Sequence, residues 1–294
     1  MWFRNLQIYR ISGWKSTPAE LNEILARQPL QECTGAAMQC TGWLEPKEGV
    51  YVHNQGGQML ISLGAEKKLL PASVINQYAR ARAEEFNEKQ GFKPGRKQMR
   101  EIKEAVTAEL LPRAFSIRRA TFAWIDPQGG WLVVDSSSQT KAEELLEALR
   151  KSSVEFSSSL VRTRISPASA MTSWLAGGEL PAVFTVDLDC ELRAMDDERA
   201  KIRYAHHAPD TEEVKRHIGS GKEVTKLAMT WGGKISFVLD EAMQLKRLAM
   251  LDILKEEVEQ SDEAFDSEFA IMTGELSHLI PDLIHALGGE EEGI

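Results

Sequence analysis

The residues with the clearest chemical potential are lysines and arginines concentrated between positions 80 and 119. This stretch holds eleven Lys and Arg against six Asp and Glu. Side chains of this kind neutralise the phosphates of a nucleic-acid backbone, and such contacts need no base-reading element. An ordinary solvated surface is the alternative interpretation. The candidate phosphate-binding residues are Arg80, Arg82, Lys89, Lys93, Arg96, Lys97, Arg100, Lys103, Arg113, Arg118 and Arg119.

The overall charge of the chain runs against this interpretation, but its distribution does not. The 294 residues carry a formal net charge of −9, and residues 240–294 contain fifteen Asp and Glu against three Lys and Arg. Because exposed charges more than about 8 Å apart are largely screened at physiological salt, a basic surface attracts phosphate even when an acidic surface lies elsewhere on the same molecule.

A glycine-rich segment at 219–223 partly matches a phosphate-binding loop. The full motif requires a glycine where Arg216 stands and a serine or threonine where Glu223 stands, and it follows a strand. The residues before Gly219 have helical character, so the segment is better explained as the C-terminal end of a helix.

Histidines and cysteines are too sparse for a recognisable metal centre. His206, His207 and His217 lack a companion Cys or acidic cluster at a familiar ligand spacing, and a polar loop is the simpler interpretation. No nucleophile elbow or zinc-protease motif occurs. The sequence therefore offers no catalytic residue and no metal site, which is weak evidence against an enzyme because catalytic residues often converge from distant positions.

The cysteine count and the hydropathy pattern indicate a compartment. Three cysteines do not make a disulfide framework, no apolar run approaches the ~20 residues that span a bilayer, and the first residues lack the pattern of a signal peptide. We expect a cytoplasmic protein with no membrane partner.

The elements that would position the basic residues are two helices and a strand. Helical periodicity predicts helices at about 72–90 and 96–111, separated by Gly91 and Pro94-Gly95, and this pair is the best candidate for a projecting arm. Arg96, Arg100 and Lys103 recur at helical spacing and share one flank. A strand is predicted at about 116–125.

The wider pattern predicts an α+β fold with mixed antiparallel sheets and helices. Hairpin-linked strands alternate irregularly with helices, and a long helix is expected at about 262–287. The Ser-rich segment 152–159 is the best linker candidate. It divides the chain into an N-terminal α+β region, 1–160, which includes the helical arm at about 72–111, and a C-terminal α+β region, 161–294.

Seven segments, in order along almost the whole chain, resemble the RdgC family of bacterial recombination-associated proteins. The matching segments are WFRNLQIYR at 2–10, LLPASVI at 69–75, ELLPRAF at 109–115, WIDPQGGWLVVD at 124–135, GKEVTKLAMTW at 221–231, LKRL at 245–248 and FAIMTGELSHLI at 269–280.

The resemblance implies a homodimer that closes into a ring around double-stranded DNA. Members of the family bind DNA with little sequence preference, are thought to restrain the RecA recombinase by occupying DNA, and have no known catalytic activity or cofactor. The resemblance therefore implies a protein that is not an enzyme and needs no cofactor. A nucleoid-associated location follows from that role. The alternative is a protein-interaction module that acts directly on a recombinase through its acidic C-terminal surface.

The resemblance also implies roles for individual residues. Phe115, in the family's PRAF segment, would anchor the dimer interface, although packing inside its own protomer is the alternative. Lys222 and Lys226, which alternate with apolar residues, would line one face of a DNA-facing strand. The further DNA-binding candidates are Lys246 and Arg247, and the loop residues Arg203, His206 and His207.

Overall fold

The structure is a computed structural model, and it describes residues 2–35, 37–195, 200–208, 211–252 and 264–291. These residues form twelve strands and seven α-helices. The strands are β1 (Leu6–Ser12), β2 (Gln39–Leu44), β3 (His53–Gln55), β4 (Gln58–Lys68), β5 (Ser116–Asp126), β6 (Trp131–Asp135), β7 (Ser157–Leu160), β8 (Phe184–Ala194), β9 (Lys201–Tyr204), β10 (Lys222–Trp231), β11 (Ile235–Asp240) and β12 (Leu245–Met250). The helices are α1 (Pro18–Ala26), α2 (Ala72–Gln90), α3 (Arg96–Leu110), α4 (Gln139–Lys151), α5 (Pro167–Leu175), α6 (Glu212–Gly219) and α7 (Ala264–Ala286).

All twelve strands belong to one sheet whose ladders are antiparallel. The order is β2-β4-β5-β6-β1-β12-β11-β10-β8-β9, with β3 paired to β4 and β7 paired to β1. β1 joins the two halves of the chain, because one edge pairs with β6 and the other with β7 and, at Leu6, with Leu245 of β12.

Alternation along the strands builds the core on both faces of the N-terminal half of the sheet. Ile8 of β1 and Trp124 of β5 belong to one buried cluster, while their neighbours Tyr9 and Ile125 belong to another. Successive side chains of a strand point to opposite faces, so helices are needed on each side. α1 and α4 supply buried residues to the second cluster, and α7 supplies them to the first.

The long helix α7 is a core element of both halves. Its apolar side chains, including Phe269, Met272 and Leu276, lie in the same cluster as Phe3 and as Leu227 of β10. Burial of several large apolar side chains on one helix is worth roughly 1.5–3 kcal/mol each. The acidic end of the sequence is therefore anchored to the fold by its apolar residues.

These observations confirm the predicted mixture of helices with a large antiparallel sheet. The two helices of the basic stretch form at the predicted positions. The linker expected at 152–159 is wrong in part, because Ser157–Leu160 form β7 and pair with β1. The segment was predicted to be a linker because three of the four residues of β7 are serines, which are not typical of a strand. The division at residue 160 stays a prediction, and the sheet is continuous across it.

Two smaller findings concern membrane-spanning helices and the cysteines. Among the described residues, no helix has the length and apolar character needed to cross a membrane. Cys33 and Cys40 form a disulfide, with Cα atoms 5.5 Å apart, and Cys190 is free and buried. The sequence predicts no disulfide bridge, because three cysteines are too few and too odd in number for a disulfide framework. That expectation is wrong for this one pair of cysteines, which lie seven residues apart.

Candidate nucleic-acid interface

Two antiparallel neighbours, α2 and α3, carry most of the predicted phosphate-binding residues. Gly91 ends α2 in the left-handed conformation (φ 77°) that glycine adopts most easily, and α3 begins after Gly95. Ala79 is the buried residue of α2 and Val106 that of α3, so a narrow apolar seam joins the helices and leaves their flanks in water. We call α2, α3 and their connection the helix pair. Its cations, all exposed, are Arg80, Arg82, Lys89, Lys93, Arg96, Lys97, Arg100 and Lys103.

Most of these cations are free of internal partners. Arg82 bridges to Glu109 of α3 at 2.6 Å, and Arg100 pairs with Glu104 one turn along the same helix at 3.1 Å. The other six make no ion pair with any residue that the structure describes. Their charged groups are therefore available to an anion from outside, and no internal contact has to be broken first.

The chain leaves the helix pair through a 3₁₀ turn at Leu111–Arg113, and an exposed apolar cluster follows. Phe115 is 85% exposed, which excludes the interpretation that it packs inside its own protomer. Leu69, whose amide donates to the Phe115 carbonyl at 2.6 Å, is also exposed, as are Ile117 and Tyr78. Large apolar side chains grouped in water indicate a contact surface. Arg113 lies beside them, exposed and without an ion pair among the described residues.

The two arginines at the start of β5 have different environments. Arg118 donates from Nε to Glu66 Oε2 at 2.8 Å. Glu66 is buried, and hydrogen bonds from Ser116 and then from Arg118 hold its pKa below the usual value. Arg119, the next residue, faces the other side of the strand and lines a groove of about 340 Å³ with Leu63. Arg118 is thus committed to an internal carboxylate, whereas Arg119 is not.

The strand residues Lys226, Lys246 and Arg247 meet on one open face of the C-terminal half of the sheet. They line a concavity of about 330 Å³ that also includes Asp189 and Glu191. The opposite rows of the same strands point into the core. We call this surface the charged sheet face. Its charged members are Asp189, Glu191 and Arg193 of β8, Lys201 and Arg203 of β9, Lys226 of β10, Asp240 of β11, Glu241 of the following turn, and Lys246 and Arg247 of β12.

Among the described residues, every cation on the charged sheet face except Arg203 is paired with a carboxylate. The shortest N···O distance is 2.6 Å for Arg193 and Glu241, 2.7 Å for Lys246 and Asp240, 3.0 Å for Lys226 and Glu191, and 3.2 Å for Arg247 and Asp189. This surface therefore differs from the helix pair, because most of its cations are paired with carboxylates of the same protomer.

The predicted alignment of Lys222 with Lys226 is wrong. Val224 and Leu227 both point into the core, because a β-bulge lies between Val224 and Lys226, and a bulge changes the face on which later residues lie. Lys222 consequently shares the side of Val224 and donates to Ser220 at 3.2 Å, while Lys226 lies on the charged sheet face. The segment 219–223 runs from the end of α6 into β10, which is the reverse of the strand-to-helix order of a phosphate-binding loop.

The loop after β9 folds back onto the charged sheet face. His206, in a left-handed conformation (φ 55°), donates its amide to Asp189 Oδ1 at 3.0 Å. Arg247 also has positive φ (53°) and donates to the other oxygen of Asp189. These bonds, first that from the His206 amide, hold the pKa of Asp189 below its usual value. Strained residues that converge on one carboxylate mark a candidate functional surface.

Two further candidates, Arg203 and His207, have different environments, and the predicted loop position of Arg203 is wrong because this residue belongs to β9. Arg203 lines the concavity next to Lys226 and makes no ion pair within the described ranges. The His207 ring lies 5.4 Å from the Tyr204 ring, and the His217 ring of α6 lies 6.4 Å from the same tyrosine. Both histidines therefore contact one aromatic side chain. Pro209 and Asp210 of the same loop lie outside the described residues.

The carboxylates of the charged sheet face are the residues that sequence reasoning missed. Their signal is the alternation in VDLDCELRA of β8, where Asp187, Asp189, Glu191 and Arg193 recur at every second position and so share a face. Within the part of the chain that the structure describes, no group of three or more His, Cys, Asp or Glu could hold a metal ion.

Comparison with known proteins gives a consistent result. A family model described as "Putative exonuclease, RdgC" matches residues 1–290. The chain is 49% identical to the recombination-associated protein RdgC of Dechloromonas aromatica over 299 residues, which cover 99% of this chain and 98% of that protein. It is 50% identical over 297 residues to the RdgC protein of Bordetella parapertussis, with 99% of each chain covered. The corresponding protein of Cupriavidus necator is 47% identical over 298 residues, which cover 99% of this chain and all of that protein.

Proposed function

Because the chain belongs to the RdgC family, whose curated members are recombination-associated proteins, we propose that it binds double-stranded DNA without sequence preference. It does so as a homodimer that closes into a ring around the duplex, with the helix pair as a projecting arm. By occupying DNA it moderates homologous recombination and restrains RecA. It acts in the cytoplasm, on the nucleoid.

The observation that carries this proposal is a set of six exposed cations on the helix pair that make no ion pair with any described residue, on a chain of net charge −9. Each unpaired Lys or Arg that neutralises a phosphate releases a counterion from DNA. The helix pair has no aromatic row for stacking on single strands, since Phe86 and Phe92 contact each other edge-on. Backbone contact with a duplex is the mode these side chains favour.

The exposed cluster around Phe115 supports self-association. A two-fold axis near Phe115 would bring two copies of the cluster together in an isologous contact, and would cover Leu69 and Ile117 as well. Contacts of this kind close a ring when a second interface exists elsewhere on the protomer.

We propose binding without hydrolysis, although the family description names an exonuclease and the curated relatives do not. The positive observations all concern phosphate contact. An end-labelled duplex incubated with the protein and Mg²⁺ tests this part of the proposal. Full-length product is expected, and progressive shortening from the ends would overturn it.

Fluorescence anisotropy with three unrelated duplexes, at 50 to 200 mM salt, tests the proposed function directly. Equal affinities and a steep, linear fall of log K with log salt are expected. Absence of binding at 50 mM salt would refute the proposal. A pull-down of RecA after nuclease treatment distinguishes the alternative, because an interaction module that uses the acidic C-terminal surface retains RecA without DNA.

A further inference from the structure

The charged sheet face differs from the helix pair in how its cations are held. In four of its five ion pairs the carboxylate is the more buried partner. Glu191 is 16% exposed and its partner Lys226 is 40% exposed, and Asp240 and Asp189 are likewise less exposed than Lys246 and Arg247. The acids thus lie at the base and the cationic groups at the rim, where an incoming phosphate meets them first.

Glu191 holds two lysines at once. Its carboxylate contacts Lys226 Nζ at 3.0 Å and Lys201 Nζ at 3.4 Å, and it accepts a hydrogen bond from the Thr225 hydroxyl at 3.4 Å. Burial alone would raise the pKa of Glu191, but the two lysines outweigh it and the pKa lies below its usual value. Glu191 is therefore ionised at neutral pH, and the group of three side chains has a net charge of +1.

We propose that the Glu191 carboxylate competes with DNA phosphate for Lys226 and Lys201. By pairing with these two lysines, Glu191 limits the affinity of the charged sheet face for a duplex. This inference rests on the proposed function and concerns the regulation of that same site. Phosphate that approaches Lys226 must share it with, or take it from, the Glu191 carboxylate. DNA on this surface is consequently held loosely, so that it can move or be released.

The strength of the effect follows from the charge of the three side chains. Replacement of Glu191 by glutamine keeps the shape and the acceptor oxygen but raises the net charge from +1 to +2. One additional phosphate neutralised steepens the slope of log K against log salt by about 0.9, and at 0.1 M salt this corresponds to about eightfold tighter binding per protomer in contact with DNA.

Glu191→Gln is the informative variant because this carboxylate binds only side chains. Asp240 accepts the amides of Ala242 and Gln244 and so shapes the turn between β11 and β12, which makes its replacement a test of folding. Glu241→Gln is the second variant, since the Glu241 side chain contacts Arg193 alone among the described residues. It is expected to tighten binding in the same direction.

Glu147→Gln is the matched control. Glu147 pairs with Lys151 one turn along α4 at 2.7 Å, away from the charged sheet face, and its replacement changes the net charge of the chain by the same single unit. Binding of this variant is expected to stay within about twofold of the parent protein, because exposed pairs one helical turn apart contribute little. Any excess gain of Glu191→Gln is then local.

The decisive experiment is an anisotropy titration of the parent chain, Glu191→Gln, Glu147→Gln, Lys226→Gln and the Glu191→Gln/Lys226→Gln double variant with one duplex. Glu191→Gln is expected to bind about eightfold more tightly with a steeper slope, and most of that gain should disappear when Lys226 is also replaced. Equal affinities of Glu191→Gln and Glu147→Gln would overturn the inference, as would a gain that is undiminished without Lys226. If Glu191→Gln does not fold, failure of Glu241→Gln to tighten binding overturns it instead. Failure of the parent chain to bind DNA at all would refute the proposed function, which is a separate result.

Discussion

Neutralising part of the helix pair is the most direct test of where DNA binds. The triple variant Arg96→Gln/Lys97→Gln/Lys103→Gln removes three of the six unpaired cations of the helix pair. None of the three makes an ion pair with a described residue, so no internal partner is left uncompensated, and glutamine is a good helix former at exposed positions. The fold and the helix content are expected to stay unchanged by circular dichroism.

The magnitude follows from counterion release. Three phosphate contacts contribute about 2.7 to the slope of log K against log salt, so a duplex that touches one helix pair should bind the variant about 500-fold more weakly at 0.1 M salt. If both protomers of a dimer use this surface, the change in slope doubles. The slope therefore also reports how many helix pairs contact the same DNA.

The assay is anisotropy with two duplexes of unrelated sequence at four salt concentrations. The control variant, Lys15→Gln/Arg27→Gln/Lys151→Gln, removes the same number of positive charges from exposed positions outside the helix pair. It is expected to lose much less affinity. If the two triple variants weaken binding equally, the effect is one of net charge, and the assignment of the helix pair as a DNA surface is wrong.

Three further predictions concern assembly and stability. Phe115→Asp should weaken the dimer, because burial of each Phe115 is worth about 1.5–3 kcal/mol. Since a ring keeps its second interface, light scattering over a dilution series should show the mass falling from twice 32.9 kDa toward 32.9 kDa at a higher concentration than in the parent protein; an unchanged dissociation profile would exclude this anchor. Reduction of the Cys33–Cys40 bridge should lower the free energy of unfolding in urea by about 2 kcal/mol, because the reduced unfolded chain gains loop entropy. The stability of Cys33→Ser/Cys40→Ser should not respond to reductant, and an equal loss of stability in the parent protein and this variant would contradict the prediction. Burial lowers the pKa of His53 below its unfolded value of about 6.5. Because the unfolded state then binds the proton more readily, the free energy of unfolding should fall as pH drops from about 7 to 5. His53→Gln should show a smaller fall, and a pH profile identical to that of the parent protein would exclude His53 as the cause.

Local patterns predicted the elements because each segment carries its own periodicity. The stripe of Met99, Ile102 and Val106 follows helical spacing, and it packs in the seam of the helix pair. The hairpin of β5 and β6 was evident from the turn residues between Trp124 and Trp131, and the paired register follows that turn. In these segments the neighbours in sequence are also the neighbours in space.

Features that depend on distant partners were not predictable in the same way. Nothing in the sequence of β1 shows that Leu6 lies opposite Leu245, since a half-buried strand has the same pattern beside any partner. The bulge that separates Lys222 from Lys226 depends on the register with β8, and an alternating pattern alone places both on one face. The ion pairs of the charged sheet face are missed for the same reason, because they join strands that are adjacent only after folding.

If the chain binds DNA as proposed, the two kinds of cation would let an acidic protein hold DNA without fixing it in place. Unpaired cations such as Lys97 on the helix pair interact with phosphate at full strength, so they favour encounter and dominate the salt dependence. A paired cation such as Lys226 contributes to DNA binding only the difference in interaction free energy between a DNA phosphate and the carboxylate that it already contacts. A duplex that lies on the charged sheet face can thus exchange one phosphate for the next at low cost, because the carboxylate takes back the lysine as the phosphate leaves. Such an exchange would suit the proposed function, in which the protein occupies DNA non-specifically and still yields it to other enzymes.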